Sequence, residues 1–245
     1  MNILVCITHV PDTTSRIAFT DNNTKFDKTG VQFIIGPYDD YALARAVELK
    51  EASGGKVTVL NVGEAETEPT IRKALAIGAD EAIRINAFPS DSFFVAKQIA
   101  AVAKEGDYDL ILMGRESIDF NGGMVHGMVA EMLGMPSFSP VMALEIEGDS
   151  AKISREIEGG KETLEVKLPF VAGCQEPIAE WKIPNMRGIM SARTKPLKVV
   201  EPSDDTTMTA VAQYELPAAK GAVKMIDADN VEELVSLLRN EAKVI

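Results

Sequence analysis

Leu110-Ile111-Leu112-Met113-Gly114, then a loop to Gly122-Gly123, then Met124-Val125-His126-Gly127-Met128-Val129-Ala130-Glu131-Met132-Leu133-Gly134, is the stretch on which the fold turns. Asp109–Met113 reads as a strand, apolar after its first residue, as expected of a strand in a parallel sheet. Gly114 ends it. The periodicity then predicts a helix from about Gly123 to Leu133, closed by Gly134 and Pro136. Strand, loop and helix in that order make half of a βαβ unit.

The same alternation extends towards the N-terminus. Ile3–Thr8 is a second continuous apolar strand. Residues 10–36 are polar, with turn signals at Asp21-Asn22-Asn23 and Thr29-Gly30, and suggest an excursion with room for a hairpin. Asp39 and Asp40 are placed to cap a helix carrying Ala42, Leu43, Ala46, Val47 and Leu49, and Gly54-Gly55 stops it. Lys56–Val62 is a strand ending at Gly63. Pro69–Ile77 is a helix with Gly78 as a left-handed cap, Glu81–Ile85 a strand, and Asp91–Lys104 a helix led by Asp91. Such a series predicts an α/β fold with a doubly wound, mostly parallel sheet of Rossmann-like kind.

Beyond residue 136 the pattern changes. Ala143–Ile146, Lys152–Ile157 and Glu162–Lys167 alternate in strand fashion around Gly148-Asp149 and Gly159-Gly160, which predicts an antiparallel addition. Phe170–Gly173 can return to the main sheet. We therefore divide the chain into an α/β domain, residues 1–195, and a C-terminal arm, residues 196–245. The arm ends in a helix near Asn230 whose stripe of Val231, Leu234, Leu237 and Leu238 needs a surface, and a second subunit can supply it.

Composition narrows the function. The net charge of −12 disfavours nucleic acid and anionic membrane as partners. No apolar run is long enough to span a bilayer. The start shows neither a basic region nor a small-residue cleavage site, so no signal peptide is expected and the chain is assigned to the cytoplasm. Two cysteines, Cys6 and Cys174, suit buried thiols in a reducing compartment, and two distant histidines leave little from which to build a metal site.

Ligands of open parallel sheets bind at the carboxyl ends of strands. The loops there are the one after His9, Gly36-Pro37-Tyr38-Asp39, Val62-Gly63-Glu64, and Gly114–Gly127. In the last, a glycine doublet lets backbone N–H groups approach a ligand while a helix points its positive end at the same place. Phosphate suits it, and simple tight packing is the other reading; neither the P-loop pattern nor Gly-x-Gly-x-x-Gly is present. Ser117, Asp119 and His126 share this loop without a nucleophile elbow. Asp119 either orders the loop or contacts a ribose, and His126 reads as a polar residue of the helix's first turn. Tyr38 is either a core aromatic or faces a ring ligand. Trp181, between Pro177 and Pro184, suits a loop anchor or a partner contact.

Several segments resemble the β subunits of electron transfer flavoproteins. They are Ile3-Leu4-Val5-Cys6 leading to Val10-Pro11-Asp12-Thr13; Gly36-Pro37-Tyr38-Asp39-Asp40-Tyr41-Ala42-Leu43; Ala74-Leu75-Ala76-Ile77-Gly78-Ala79-Asp80; Gly114-Arg115 with Ile118-Asp119; Leu133-Gly134-Met135-Pro136; Arg155–Gly160; and Leu168-Pro169. The resemblance covers essentially the whole chain. It implies an adenine nucleotide alpha hydrolase-like fold and a heterodimer with a larger α subunit, which holds most of an electron-carrying FAD. It implies AMP in the β subunit, or a second FAD in members that bifurcate electrons. Carried over by position, the pocket falls on Cys6, Gly36, Pro37, Tyr38, Asp39, Val62, Ser117, Ile118, Asp119, Asn121, Gly122, Gly123, Val125, Gly127 and Met128.

By the same resemblance, Tyr38 approaches the electron-carrying flavin. Partners are acyl-CoA dehydrogenase-like flavoenzymes, met by a loop around Gln175–Ile183 with Ile178 as apolar anchor, and the arm wraps the α subunit. The chain departs from the family at Gly36, where asparagine is usual, and at Asn121, Gly122, Met124 and His126. Backbone donors survive those changes. The expected role is an electron carrier rather than an enzyme, since electron transfer needs a placed flavin and no nucleophile. A stand-alone nucleotide-binding module of the stress-protein type would want a Gly-x-x-Gly loop late in a much shorter chain. An ATP-cleaving enzyme of the pyrophosphatase kind would want Ser-Gly-Gly after the first strand.

Overall fold

The computed structural model describes residues 1–245. β1 (Asn2–Cys6) is buried on both faces after its first residue. The excursion then forms β2 (His9–Pro11), β3 (Phe19–Thr20), β4 (Lys25–Phe26) and β5 (Phe33–Ile35), with β2 antiparallel to β5 and β3 to β4. Asp21, Asn22 and Asn23 all adopt positive φ and turn the inner hairpin, which short polar side chains tolerate best.

Helices and strands then alternate: α1 (Pro37–Ser53), β6 (Lys56–Val62), α2 (Glu68–Ile77), β7 (Glu81–Ile85), α3 (Ser92–Glu105), β8 (Leu110–Gly114) and α4 (Val125–Leu133). β9 (Ser137–Glu147), β10 (Ser150–Ile157) and β11 (Gly160–Lys167) are the antiparallel addition, and β12 (Phe170–Cys174) inserts in parallel between β8 and β9. α5 (Met186–Ala192), β13 (Leu197–Val200) and α6 (Val231–Leu237) complete the chain.

The nine-stranded sheet runs β11-β10-β9-β12-β8-β1-β6-β7-β13. Alternate residues of each strand feed opposite faces. Ile3, Val5, Val57 and Val59 meet Leu43, Val47, Ile71 and Leu75 of α1 and α2. Leu4, Leu60 and Ile111 meet Phe94 and Ile99 of α3 and Val129 of α4. Each fully buried Leu, Ile or Phe contributes roughly 1.5–3 kcal/mol. α/β with a doubly wound, mostly parallel sheet and an antiparallel addition is therefore the observed architecture.

Three local readings change. Gly78 has φ 159° and ψ −5° rather than left-handed helical values. Its service is steric, since a Cβ there would meet both Val47 methyls at 2.8 Å, so glycine lets α1 approach. The arm was expected to begin at residue 196, yet β13 pairs with β7 and carries the sheet to Val200. Isolated Leu197–Val200 offers no partner-independent signal for this long-range pairing. Finally, Asp39 and Asp40 do not cap α1: Gly36 precedes the helix and Pro37 occupies its first turn, where a missing N–H costs nothing. No helix is long and apolar enough to cross a membrane.

Candidate functional site

The chain moves outward from β1 to β6 and β7, then returns to β8 on the other flank of β1. Strand order thus reverses between β1 and β8, and their carboxyl ends meet at the switch point, the place where open α/β sheets form their ligand crevice. Cys6 and Met113 are register partners there.

Asp39 ties this point together. Being freed from capping, its carboxylate leaves α1 and reaches both strand ends. One oxygen accepts from the Thr8 backbone N–H at 2.8 Å and the Thr8 hydroxyl at 2.6 Å, and the other accepts from Gly114 N–H at 2.7 Å. The residue is 3% exposed. Burial pushes its carboxyl up to about 6, against the pull of the Thr8 and Gly114 hydrogen bonds. Two glycines make the room. A Cβ on Gly36 would stand 2.4 Å from the Thr8 hydroxyl and 2.5 Å from Asp39, and one on Gly114 would stand 2.6 Å from Asp39. With both oxygens engaged, Asp39 acts as a brace between the two strand ends.

The brace has a pH signature. Burial also pushes Asp40 up to about 6, opposed by Lys73. A carboxyl whose folded value is raised binds its proton more tightly folded than unfolded. Its contribution is therefore favourable below the ordinary carboxylate range and is lost as pH rises through about 6. We expect thermal stability to fall between pH 4.5 and 7, by roughly 2 kcal/mol for Asp39 at about 1.4 kcal/mol per unit. Melting curves of Asp39→Asn against pH check this: the variant should show a flatter profile, and an unchanged slope would refute the assignment.

From Gly114 the loop is self-ordered. Ser117 and Gly122 exchange backbone hydrogen bonds at 3.1 and 3.2 Å, making a small bridge. Asp119 turns back on the loop, accepting from the Ser117 hydroxyl and from Phe120 N–H at 2.9 Å. Of its two sequence readings, loop ordering is the one these contacts display. Asn121 sits at positive φ. Gly123 is exposed, while Gly122, Ile118, Val125, Gly127 and Met128 are half-buried.

α4 then starts without any side-chain cap. The N–H groups of its first turn have no intrahelical partner and point along the positive end of the helix. A Cβ on Gly127 would meet nothing within 4 Å, so the space beside that turn is open. His126 is held against the sheet: its Nδ1 lies 3.3 Å from the Ser137 hydroxyl, and burial keeps it neutral by lowering its pKa.

The remaining sequence-chosen residues lie around this crevice. Cys6 and Val62 are buried in the α3/α4-side core, and burial raises the Cys6 thiol. Pro37 and Tyr38 are half-buried in the first turn of α1. The Arg115 guanidinium lies 4.8 Å over the Tyr38 ring and donates to Gln175 at 3.0 Å, while its buried Nε has no partner. Sequence reasoning missed Thr8 and Asn61. Asn61 donates to the Ile7 carbonyl at 2.9 Å, and its buried Oδ1 has no partner. A lone amide inside the apolar run Lys56–Val62 was the available signal. A separate cavity of about 300 Å³ between α3 and β13 shares no lining residue with the crevice.

The Gln175–Ile183 loop departs from expectation. Ile178 is 6% exposed and belongs to the chain's own core, so it cannot serve as an apolar anchor. Trp181, Ile183, Met186 and Met190 stand out instead, with exposures of 56%, 76%, 74% and 68%. Prolines at 177 and 184 bound the stretch that holds Trp181 and Ile183.

A family model described as "Electron transfer flavoprotein domain" matches residues 23–205. Over its full length the chain is 35% identical to the electron transfer flavoprotein subunit beta of Bacillus subtilis (strain 168), covering all of that protein. The chain belongs to the electron transfer flavoprotein β-subunit family. The subunit beta of Syntrophomonas wolfei is 33% identical, with 100% of this chain and 98% of that protein covered. The human subunit beta is 30% identical, with coverage of 100% and 99%. Membership of the electron transfer flavoprotein family makes electron transport by way of flavin the family role, one of carrier rather than enzyme, and implies an α-subunit partner. The unspent N–H donors at the start of α4 and the open space at Gly127 suit an anion such as a phosphate.

Proposed function

We propose that this chain is the small subunit of a cytoplasmic heterodimeric electron transfer flavoprotein. It holds one AMP in the switch-point crevice as a structural ligand. It also helps enclose an FAD held mainly by the α subunit, which takes electrons from acyl-CoA dehydrogenase-like flavoenzymes and passes them to an acceptor. The uncapped first turn of α4, facing open space where strand order reverses, carries the reading. Backbone N–H groups of Val125, His126 and Gly127 would hold the phosphate; the flavin, when bound, supplies the redox chemistry.

Around that ligand the chain's own residues bind and orient. The Asp39 brace fixes the crevice floor, and the Ser117–Gly122 bridge fixes its rim. Tyr38, backed by Arg115, presents an aromatic edge at the mouth. Co-expression with the α subunit tests the proposal. The purified heterodimer should release one AMP and one FAD per complex on denaturation, identified by mass. Two FAD would place the complex in the bifurcating class, and a complex that carries no nucleotide would refute the pocket.

The exposed Trp181, Ile183, Met186 and Met190 patch is our choice of dehydrogenase contact. Ile183→Asp should lower kcat/KM for reduction by a dehydrogenase about tenfold, the scale of a side chain that anchors an interface. Because Ile183 is 76% exposed, melting temperature and nucleotide content should stay unchanged. Equal kinetics would move the contact elsewhere.

A further inference from the structure

Residues 201–245 behave as two different segments. Up to Tyr214 the arm is fastened to its own chain. The Gln98 side-chain carbonyl, in a residue 1% exposed, accepts from Ser203 N–H at 2.7 Å, and its amide donates to the Asp204 carbonyl at 2.9 Å. Lys97 pairs with the Asp204 carboxylate. Asp91 divides its carboxylate: one oxygen caps α3 by accepting from Phe94 N–H at 2.7 Å, and the other accepts from Met208 and Thr209 N–H at 2.6 and 2.7 Å. Tyr214 stacks on Phe19 with centroids 4.8 Å apart, and its N–H reaches the Asn23 carbonyl at 2.7 Å.

Past Tyr214 the fastening stops. Hydrogen bonds and ion pairs of residues 215–245 stay within that segment, as with Lys224 and Glu241 at 3.6 Å. α6 has no buried residue.

We infer that residues 201–214 form a strap fixed in cis, with Asp91 as the positioning residue that aims residues 215–245 at the α subunit. The inference rests on the α-subunit partner proposed above. A strap ordered in advance reduces the conformational entropy lost on association and confines the free segment to a small search volume. α3 is the right anchor. It is packed between sheet and strap, and the same carboxylate that starts the helix receives the arm.

Asp91→Asn separates the two jobs. Asparagine caps helices as well as aspartate, but its amide would set a donor against the Met208 and Thr209 donors. Asp91→Ser likewise keeps a capping oxygen and removes the second. Hydrogen exchange in the isolated chain and association kinetics with the cognate α subunit provide the readouts. In both variants the melting temperature should hold, exchange at Met208 and Thr209 should quicken at least about tenfold, and the association rate should fall about tenfold with a smaller change in dissociation. Tyr214→Ala, which frees the far end, should slow association in the same way. Freed amides with an unchanged association rate would overturn the strap, as would amides that stay protected in Asp91→Asn. A wild-type chain that ignores the α subunit would instead overturn the partner reading along with it.

Discussion

Deleting residues 215–245 is expected to weaken association with the α subunit by more than about 100-fold, roughly 3 kcal/mol, while leaving the melting temperature of the isolated chain nearly unchanged. The segment carries Leu216, Val223, Met225 and Val231 at exposures of 60%, 84%, 86% and 59%, and α6 buries nothing. Losing side chains that stand mostly in solvent costs little stability. Covering them on a partner gains roughly 1.5–3 kcal/mol apiece before the cost of ordering the segment is subtracted. Analytical ultracentrifugation of the truncated chain with the α subunit, beside calorimetry of the chain alone, reads both quantities. A truncated chain that still forms heterodimer at the wild-type affinity would show that the contact lies elsewhere.

Gly114→Val should have the largest effect on the body of the protein, a loss of about 4 kcal/mol together with loss of bound nucleotide. A Cβ at this position would lie 2.6 Å from the Asp39 carboxylate, 2.7 Å from Tyr38 Cβ and 3.1 Å from Asp39 N. Asp39 cannot yield, because Thr8 and Gly114 hold both its oxygens. Overpacking alone costs about 1–3 kcal/mol, and displacing the carboxylate strands buried donors for about 1–3 kcal/mol more. Chemical denaturation and nucleotide content of the heterodimer give the measurement. By contrast, Gly127→Ala meets open space and should leave stability within about 1 kcal/mol while loosening the nucleotide. Equal effects from the two substitutions would mean that the Asp39 brace is not what Gly114 protects.

The fold was legible where periodicity and punctuation agreed. Ile3–Thr8, Lys56–Val62 and Asp109–Met113 read as strands and are parallel strands, and Gly134 closes α4 as expected, in the left-handed conformation. Asp91 was readable as a helix start from its position alone. Its second carboxylate oxygen, taken by residues more than a hundred positions later, was not. The same limit hid the pairing of β2 with β5 and of β13 with β7, which depend on what the chain brings back and not on what stands next in line.

The crevice was legible as a place, since the switch-point rule and the glycine doublet both point to it. Its internal division of labour was not. Asp39 resembles a cap in sequence and acts as a brace because Pro37 takes the start of α1 and the carboxylate finds three donors on two strands. Ile178 resembles an exposed anchor, yet the turn buries it and exposes Ile183. Burial is a property of the assembled surface, so two isoleucines in one loop cannot be told apart by spacing.

The insertion of β12 between β8 and β9 constrains how the molecule can be made. During synthesis the chain must extrude three successive strands before the residues that belong in the gap leave the ribosome. Until Phe170–Cys174 arrives, β8 has one unpaired flank and the β9–β11 meander has no bond to the rest of the sheet. A nascent chain stalled before residue 170 would thus display an open, wholly apolar edge, the kind that recruits chaperones or aggregates. Maturation of the whole electron carrier waits on the delivery of this one late strand.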